Sequence, residues 1–116
     1  MSLRPYYRLY LLDIYTRTGY NHCMIKSFAD KETEKIYNQI FSKKLPRSIQ
    51  RMALRKLMMI DNAGSLEDLR VPLANHLEQL QGDRTGQHSI RINDQYRICF
   101  MVNGNNFYKV EIVDYH

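Results

Sequence analysis

The sequence contains few of the residues that mark disulfide-rich, metal-binding or membrane proteins. Its two cysteines, Cys23 and Cys99, lie far apart without metal-site spacing, so we expect two free thiols in a reducing cytoplasm. The four histidines are scattered, without the spacing of a zinc site, and we predict no metal or other cofactor. No apolar run approaches the roughly 18 residues of a membrane span, which argues against a membrane location.

Length and charge indicate one basic domain. A chain of 116 residues can bury a single modest core. Lys and Arg total 17 against 12 acidic residues, giving a net charge of +5 and a pI near 9.3. This surplus favours a polyanionic partner, although many ordinary domains carry a similar charge. We find no repeat, linker or low-complexity segment.

The first 23 residues differ in composition from the rest. They hold five of the nine tyrosines and three arginines, but Asp13 is their one acid. We therefore predict that 1–23 is an N-terminal extension that does not belong to the native protein, with Met24 as the natural start of a domain over 24–116. The alternative is that 1–23 packs as a genuine helix.

Helical spacing marks two segments after a short strand at 24–28. Asp30 is a predicted N-cap, and apolar residues continue to Phe41 before Pro46 stops the helix. A second helix is expected from about Ser48 to Ala63, with Gly64 as its C-cap. Its predicted buried stripe includes Ile49, Met52, Ala53, Leu57 and Ile60, and its polar residues are Arg47, Arg51, Arg55 and Lys56.

Strand patterns dominate from Asn75 onward. A turn at 82–86 and alternation at 88–92 precede a strand that places Tyr96, Ile98 and Phe100 on one face and Arg97 on the other. Asn103-Gly104 predicts a hairpin, and the last strand runs to Val113. The predicted fold is α+β, with two N-terminal helices packed on one face of an antiparallel sheet of about four to five strands.

The final hairpin predicts a cluster of chemically active side chains. Its pairing brings the end of the last strand beside Arg97. RNA cleavage by attack of the 2′-hydroxyl needs a base, an acid and a cation for the phosphorane. The candidate catalytic residues are Arg97, Asp114, Tyr115 and His116, and the candidate RNA-binding residues are Arg84, Arg91 and His88. His88 also shares the parity of Ile90 and Ile92, which favours a buried histidine. Arginines on strands usually form a solvated basic face, and a terminal Tyr-His is usually a plain tail, so both of these interpretations stay open.

Several ordered segments resemble the HigB branch of the RelE/ParE toxin superfamily. They are 82–86 (GDRTG), 88–100 (HSIRINDQYRICF) and 110–116 (VEIVDYH), with 24–28 (MIKSF) and 70–75 (RVPLAN) upstream. The similarity covers 24–116. It implies a RelE/ParE-like fold and a type II toxin: a ribosome-dependent endoribonuclease that cleaves messenger RNA without metal.

The resemblance also implies partners and site residues. The partners would be a HigA-like helix-turn-helix antitoxin, the 70S ribosome with its mRNA, and operator DNA bound through the antitoxin complex. Arg97, Asp114, Tyr115 and His116 match the positions at which the family has its site residues. Some HigB proteins place a histidine and a lysine before the Gly-Asp-Arg turn, where this chain has Glu78 and Gln81. Two alternatives stay open: a ParE-like gyrase-binding poison, and a non-catalytic module that binds antitoxin and operator.

Overall fold

A computed structural model describes residues 24–115 of the chain. The predicted extension at 1–23, the second thiol at Cys23 and the C-terminal His116 lie outside the described residues. Within the described part no helix has the length and apolar character needed to cross a bilayer.

The first helix, α1 (Lys31–Tyr37), begins where the sequence predicts and ends earlier. The Asp30 carboxylate accepts a hydrogen bond from the Thr33 amide, as an N-cap should. The helix stops after Tyr37 because Gln39 adopts a left-handed conformation with φ 64°. Ile40 and Phe41, which the sequence places on the buried face of this helix, therefore lie beyond it and are exposed.

The second helix, α2 (Arg47–Asp61), supplies most of the helical core. Ile49, Ala53, Leu57 and Ile60 are buried, as their spacing predicts. Met52 is exposed and does not belong to the stripe. Lys56, expected on the polar side, is buried. The cause is helical periodicity, because Lys56 follows Ile49 by seven residues and shares its face.

Short 3₁₀ helices connect α2 to the sheet. The first spans Leu66–Arg70 and the second Leu73–Asn75, with a cis Val71–Pro72 peptide between them. His76 follows the second in a left-handed conformation, with φ 45°. This connection brings the chain to the edge of the sheet, where the second 3₁₀ helix contacts the second strand.

The sheet is a four-stranded antiparallel meander, which confirms the predicted α+β fold. The strands are β1 (Glu78–Gln79), β2 (Gln87–Arg91), β3 (Tyr96–Asn103) and β4 (Asn106–Asp114), in spatial order β1-β2-β3-β4. A third 3₁₀ helix, Gly82–Arg84, joins β1 to β2. Gly104, at φ 63°, starts the two-residue loop between β3 and β4.

The segment 24–28 lies along the outer edge of β4 and forms two parallel bridges, Ile25 to Phe107 and Phe28 to Val110. The carbonyl of Met24 accepts from the Phe107 amide at 2.8 Å, and the Lys26 amide donates to the Phe107 carbonyl at 2.7 Å. The strand expected here is thus a pair of bridges that covers β4.

The core lies between the helices and one face of the sheet. Ile98 and Phe100 of β3 and Phe107, Val110 and Ile112 of β4 are buried there together with the apolar stripe of α2. Phe100 and Phe107 meet edge to face, with ring centroids 5.3 Å apart. Because side chains alternate along β3, Arg97 and Cys99 point away from the helices, so the opposite face of the sheet carries the candidate site.

Candidate active site

Strand register gathers the site on the sheet face that the helices do not cover. Ser89 of β2 pairs with Cys99 of β3, and Arg91 pairs with Arg97. Directly paired residues of antiparallel strands share a face, so these four positions lie on the same side. Glu111 pairs with Cys99 from β4 and joins them.

Arg97 is the centre of this face and is nearly buried, with 8% of its surface exposed. Its Nε donates to Ser89 Oγ at 2.7 Å, and its Nη2 donates to the Ser89 carbonyl at 3.3 Å and to the His76 carbonyl. Among residues 24–115 nothing accepts a hydrogen bond from Nη1. One edge of the guanidinium is therefore fixed by the protein, and the other retains donors for a ligand.

The His76 carbonyl is held in place by an unusual backbone. His76 adopts the left-handed conformation, which side chains with a Cβ seldom enter. Its amide donates to the Leu73 carbonyl at 3.0 Å, closing the 3₁₀ turn behind it. The carbonyl that receives Arg97 is thus part of an ordered turn.

Glu78 is a site residue that the sequence does not assign. It lies opposite Ser89 in the β1–β2 register, and its Oε1 is 3.8 Å from Arg97 Nη2. The side chain is half exposed, so this ion pair is weak. A signal for it exists in the sequence, because pairing across the 82–86 turn gives Glu78 the same face as Ser89 and Arg97.

Tyr115 stacks over the guanidinium group. The Arg97 Cζ lies 5.9 Å from the centre of its ring, and the Tyr115 amide donates to the Gln95 carbonyl at 2.7 Å. Burial raises the pKa of the phenol above its ordinary value, against the opposing pull of Arg97 and Arg84. The Tyr115 hydroxyl is therefore protonated at neutral pH and can donate a hydrogen bond.

Arg84 borders the cluster, and its charge is shared with an acid. Its Nη1 donates to Gln87 Oε1 at 3.0 Å and to Glu111 Oε1 at 3.2 Å. About a third of each charged side chain is exposed. A phosphate approaching Arg84 would compete with Glu111.

Two predicted residues lie on the other face of the sheet, which corrects the expected cluster. Asp114 pairs with Tyr96 and accepts from Gln95 Nε2 at 3.1 Å. His88 pairs with Phe100 in the β2–β3 register, and the two rings stack with their centroids 6.4 Å apart. Burial lowers the pKa of His88. The reason in both cases is the two-residue period of a strand, which separates neighbours such as Asp114 and Tyr115.

Arg91 and Cys99 also lie on the Arg97 face of the sheet. The Arg91 side chain pairs with Asp94, although its backbone lies beside Arg97. Cys99 is a free, fully buried thiol whose pKa is raised by burial. No group of three His, Cys, Asp or Glu side chains within 24–115 is arranged to hold a metal ion. Arg97, Glu78 and Tyr115 therefore form the site that the geometry brings together.

Most of the chain matches a known protein family. Residues 26–116 match the family described as the RelE-like toxin of the type II toxin–antitoxin system HigB. Toxin HigB-1 of Vibrio cholerae serotype O1 is 41% identical over 78 residues, which cover 66% of this chain and 82% of that protein. An uncharacterised protein of Haemophilus influenzae is 40% identical over 62 residues, covering 53% of this chain and 61% of its own length.

Two solved structures share the fold. The YoeB–YefM complex from Staphylococcus aureus contains a chain with a TM-score of 0.51 and 22% identity, covering 79% of this chain and 97% of that chain. The YoeB dimer from the same organism gives a TM-score of 0.52 at 23% identity, covering 83% of this chain and 99% of that one. At this identity the likeness concerns the fold alone.

Proposed function

The chain belongs to the HigB-like family of RelE-like toxins from type II toxin–antitoxin systems, and from this premise we propose that it cleaves messenger RNA on the ribosome. Membership of a toxin–antitoxin family gives it an antitoxin partner. We propose a HigA-like helix-turn-helix protein that, in complex with the toxin, binds operator DNA. The work of such a toxin is in the cytoplasm, where translating 70S ribosomes are found.

The observation that carries the proposal is that the protein occupies only some of the hydrogen-bond donors of the Arg97 guanidinium. The protein fixes Nε and Nη2, while the Nη1 edge has no acceptor among the described residues. A planar cation with two free N–H donors on Nη1 can donate hydrogen bonds to phosphate oxygens. In a poorly solvated position it would stabilise the extra negative charge of a phosphorane more strongly than in water.

Proton transfer in this proposal belongs to the groups around Arg97. Glu78 is 3.8 Å from the guanidinium and would take the proton from the 2′-hydroxyl as that oxygen attacks phosphorus. The P–O5′ bond breaks as the leaving oxygen receives a proton, and the product carries a 2′,3′-cyclic phosphate. His116, adjacent to Tyr115 in sequence, stays the predicted proton donor, because an imidazole can exchange a proton near neutral pH.

The remaining candidates have supporting roles. The protonated Tyr115 ring would hold a nucleotide by stacking and donate a hydrogen bond to a phosphate or leaving oxygen. Arg84 and Arg91 would bind flanking phosphates after exchanging Glu111 and Asp94 for RNA. Asp114 and His88 lie on the opposite face of the sheet from Arg97. From there Asp114 cannot exchange protons at the Arg97 face, and His88 cannot contact RNA bound on that face. We therefore give Glu78 the role of base.

A basic surface on the helical layer supports a large RNA partner such as the ribosome. Between Glu34 and Asp61 the chain has no acid and six exposed cationic residues, namely Lys35, Lys43, Lys44, Arg47, Arg51 and Arg55. Arg47, Arg51 and Arg55 are exposed at i, i+4 spacing on α2, where like charges repel, and Arg47 lies 5.0 Å from the Phe41 ring centre. RNA phosphates would neutralise this surface. Because it is on the helix side, it would be available while mRNA occupies the Arg97 face.

The test is primer extension on cellular mRNA after induction of wild type, Arg97→Ala and Glu78→Gln. Arg70→Ala is the matched control, because Arg70 is an exposed arginine paired with Glu67. We expect new 5′ ends within translated codons for wild type and the control, and none for Arg97→Ala. Purified toxin without ribosomes should cleave RNA weakly, and a chelator should leave that rate unchanged if no metal takes part.

Other outcomes identify the alternatives. Growth arrest without new mRNA ends would contradict the nuclease proposal and support a gyrase-type binding poison. Neither arrest nor cleavage, with the antitoxin still bound, would support a non-catalytic module that binds antitoxin and operator. Cleavage by Arg97→Ala at the wild-type rate would remove Arg97 from the site.

A further inference from the structure

Lys56 is a buried cation that has no counter-ion among the described residues. It lies on the apolar face of α2 with 7% of its surface exposed. Its Nζ donates to Asn75 Oδ1, and no carboxylate within 24–115 forms an ion pair with it. Aspartate or glutamate is the usual partner of a buried lysine.

This arrangement is costly for folding. Burial lowers the pKa of Lys56, and the nearby charges of Arg55 and Arg91 lower it further. An uncompensated ammonium in the interior opposes folding, whereas an apolar side chain of similar length would fit the same helical stripe. Stability therefore gives no reason for a lysine at this position.

Asn75, the partner of Lys56, is fully buried and fully engaged. Its Nδ2 donates to the Leu69 carbonyl at 3.1 Å and to the Val71 carbonyl at 3.4 Å, and its Oδ1 accepts from Lys56. The backbone N–H of Asn75 donates to the Pro72 carbonyl at 2.9 Å. The side chain of Asn75 thus ties the two 3₁₀ helices to each other and to α2.

The residue after Asn75 is the one that holds Arg97. The His76 carbonyl accepts a hydrogen bond from Arg97 Nη2. Because His76 directly follows Asn75 in the chain, the Lys56–Asn75 hydrogen bond is connected to the centre of the site through one peptide bond. We propose that Lys56 and Asn75 are positioning residues that fix the His76 carbonyl, and through it the guanidinium of Arg97, against the scissile phosphate. This inference rests on the proposed nuclease function.

The expected consequence is a loss in the chemical step rather than in RNA binding. Without the Lys56 donor, Asn75 Oδ1 becomes a buried acceptor with no partner, and the turn that carries His76 is free to shift. A displacement of about 1 Å at a catalytic group costs up to about 10²-fold in rate. Because the other RNA contacts persist, we expect kcat to fall about 10- to 100-fold, with KM little changed.

The experiment compares Lys56→Met and Lys56→Gln with wild type on mRNA-programmed ribosomes. Methionine removes the donor and the charge, while glutamine is also neutral but keeps an N–H one bond closer to the backbone. Lys31→Met is the matched control, because Lys31 is an exposed helical lysine outside the proposed RNA-binding surfaces. Melting temperature and antitoxin affinity are measured for all four proteins.

We expect Lys56→Met to lose kcat, Lys56→Gln to retain an intermediate rate, and Lys31→Met to match wild type. The melting temperature of Lys56→Met should change by less than about 5 °C, because removal of the buried charge offsets the orphaned Asn75 oxygen.

The results that would overturn the inference differ from those that would overturn the proposed function. Wild-type kcat in Lys56→Met, or equal losses in kcat and antitoxin affinity, would reject the positioning role. If neither Lys56 variant folded, Lys56 would be a structural residue and the inference would be wrong. Absence of cleavage by wild type itself would instead reject the nuclease function.

Discussion

Removing the Ser89 hydroxyl is a sharp test of how Arg97 is held. Ser89 is fully buried, and its Oγ accepts from Arg97 Nε at 2.7 Å. In Ser89→Ala the Nε–H loses its acceptor while Nη2 keeps the Ser89 and His76 carbonyls. The substitution removes a single oxygen atom, so it creates little cavity and isolates the hydrogen bond.

The size of the effect follows from charge and burial. A hydrogen bond to a charged group contributes roughly 1.5–3 kcal/mol, and an orphaned buried donor carries the desolvation cost. With Arg97 only 8% exposed, water does not readily replace the lost hydroxyl. We expect the free energy of unfolding to fall by about 1.5–3 kcal/mol, which corresponds to a drop in melting temperature of roughly 6–24 °C.

The assay is urea denaturation of wild type, Ser89→Ala and Ser48→Ala. Ser48 is an exposed serine near the start of α2, and its replacement should change stability by less than about 0.5 kcal/mol. Cleavage should weaken in Ser89→Ala but persist, because the guanidinium remains. A Ser89→Ala urea midpoint equal to that of Ser48→Ala would mean that the position of Arg97 does not depend on this hydroxyl. It would refute the argument that the buried Ser89 hydroxyl holds the guanidinium.

Three further predictions address separate surfaces. Glu78→Gln removes the proposed base and should lower single-turnover cleavage by about 10²-fold or more with the fold intact by circular dichroism; an unchanged rate would return the role of base to another residue. Arg47, Arg51 and Arg55, replaced together by glutamine, should reduce co-sedimentation with ribosomes and make the remaining binding less dependent on salt; equal sedimentation at all salt concentrations would remove α2 from the RNA interface. The pKa of His88 is lowered by burial and then by Arg70, so the stability from its neutral form is present above about pH 6.5 and is lost as pH falls through the folded-state pKa. The unfolding free energy of His88→Phe should accordingly decline less between pH 7 and pH 5, and parallel pH profiles would contradict this.

Local rules predicted the parts of the fold that depend on local chemistry. The Asp30 cap, the Asn103-Gly104 hairpin and the buried alternation of Tyr96, Ile98 and Phe100 are all confirmed. The end of α1 was wrong, since apolar spacing continues through Phe41 although Gln39 leaves the helix. Backbone reversal at a residue such as glutamine has no clear mark in sequence.

Strand pairing places Tyr115 beside Arg97 as expected, while the catalytic roles of the candidate residues stay predictions. Arg97 and Tyr115 meet as the hairpin implies, whereas Asp114 was expected with them although adjacent strand residues face opposite ways. Lys56 was grouped with the exposed arginines because of its charge, against a helical spacing that puts it beside Ile49 and Ile60. The contact between Arg97 and the His76 carbonyl depends on tertiary packing of an irregular turn, which no sequence period describes.

The segment 24–28 also determines how this protein can meet other chains. Its bridges occupy the outer edge of β4, and at the other end of the sheet β1 is two residues long. Within the described residues, a partner therefore finds no long open edge on which to add a strand. A partner must then bind mainly through contacts with side chains. A truncation that removed 24–28 would expose the backbone of β4 and allow copies of the toxin to associate through it.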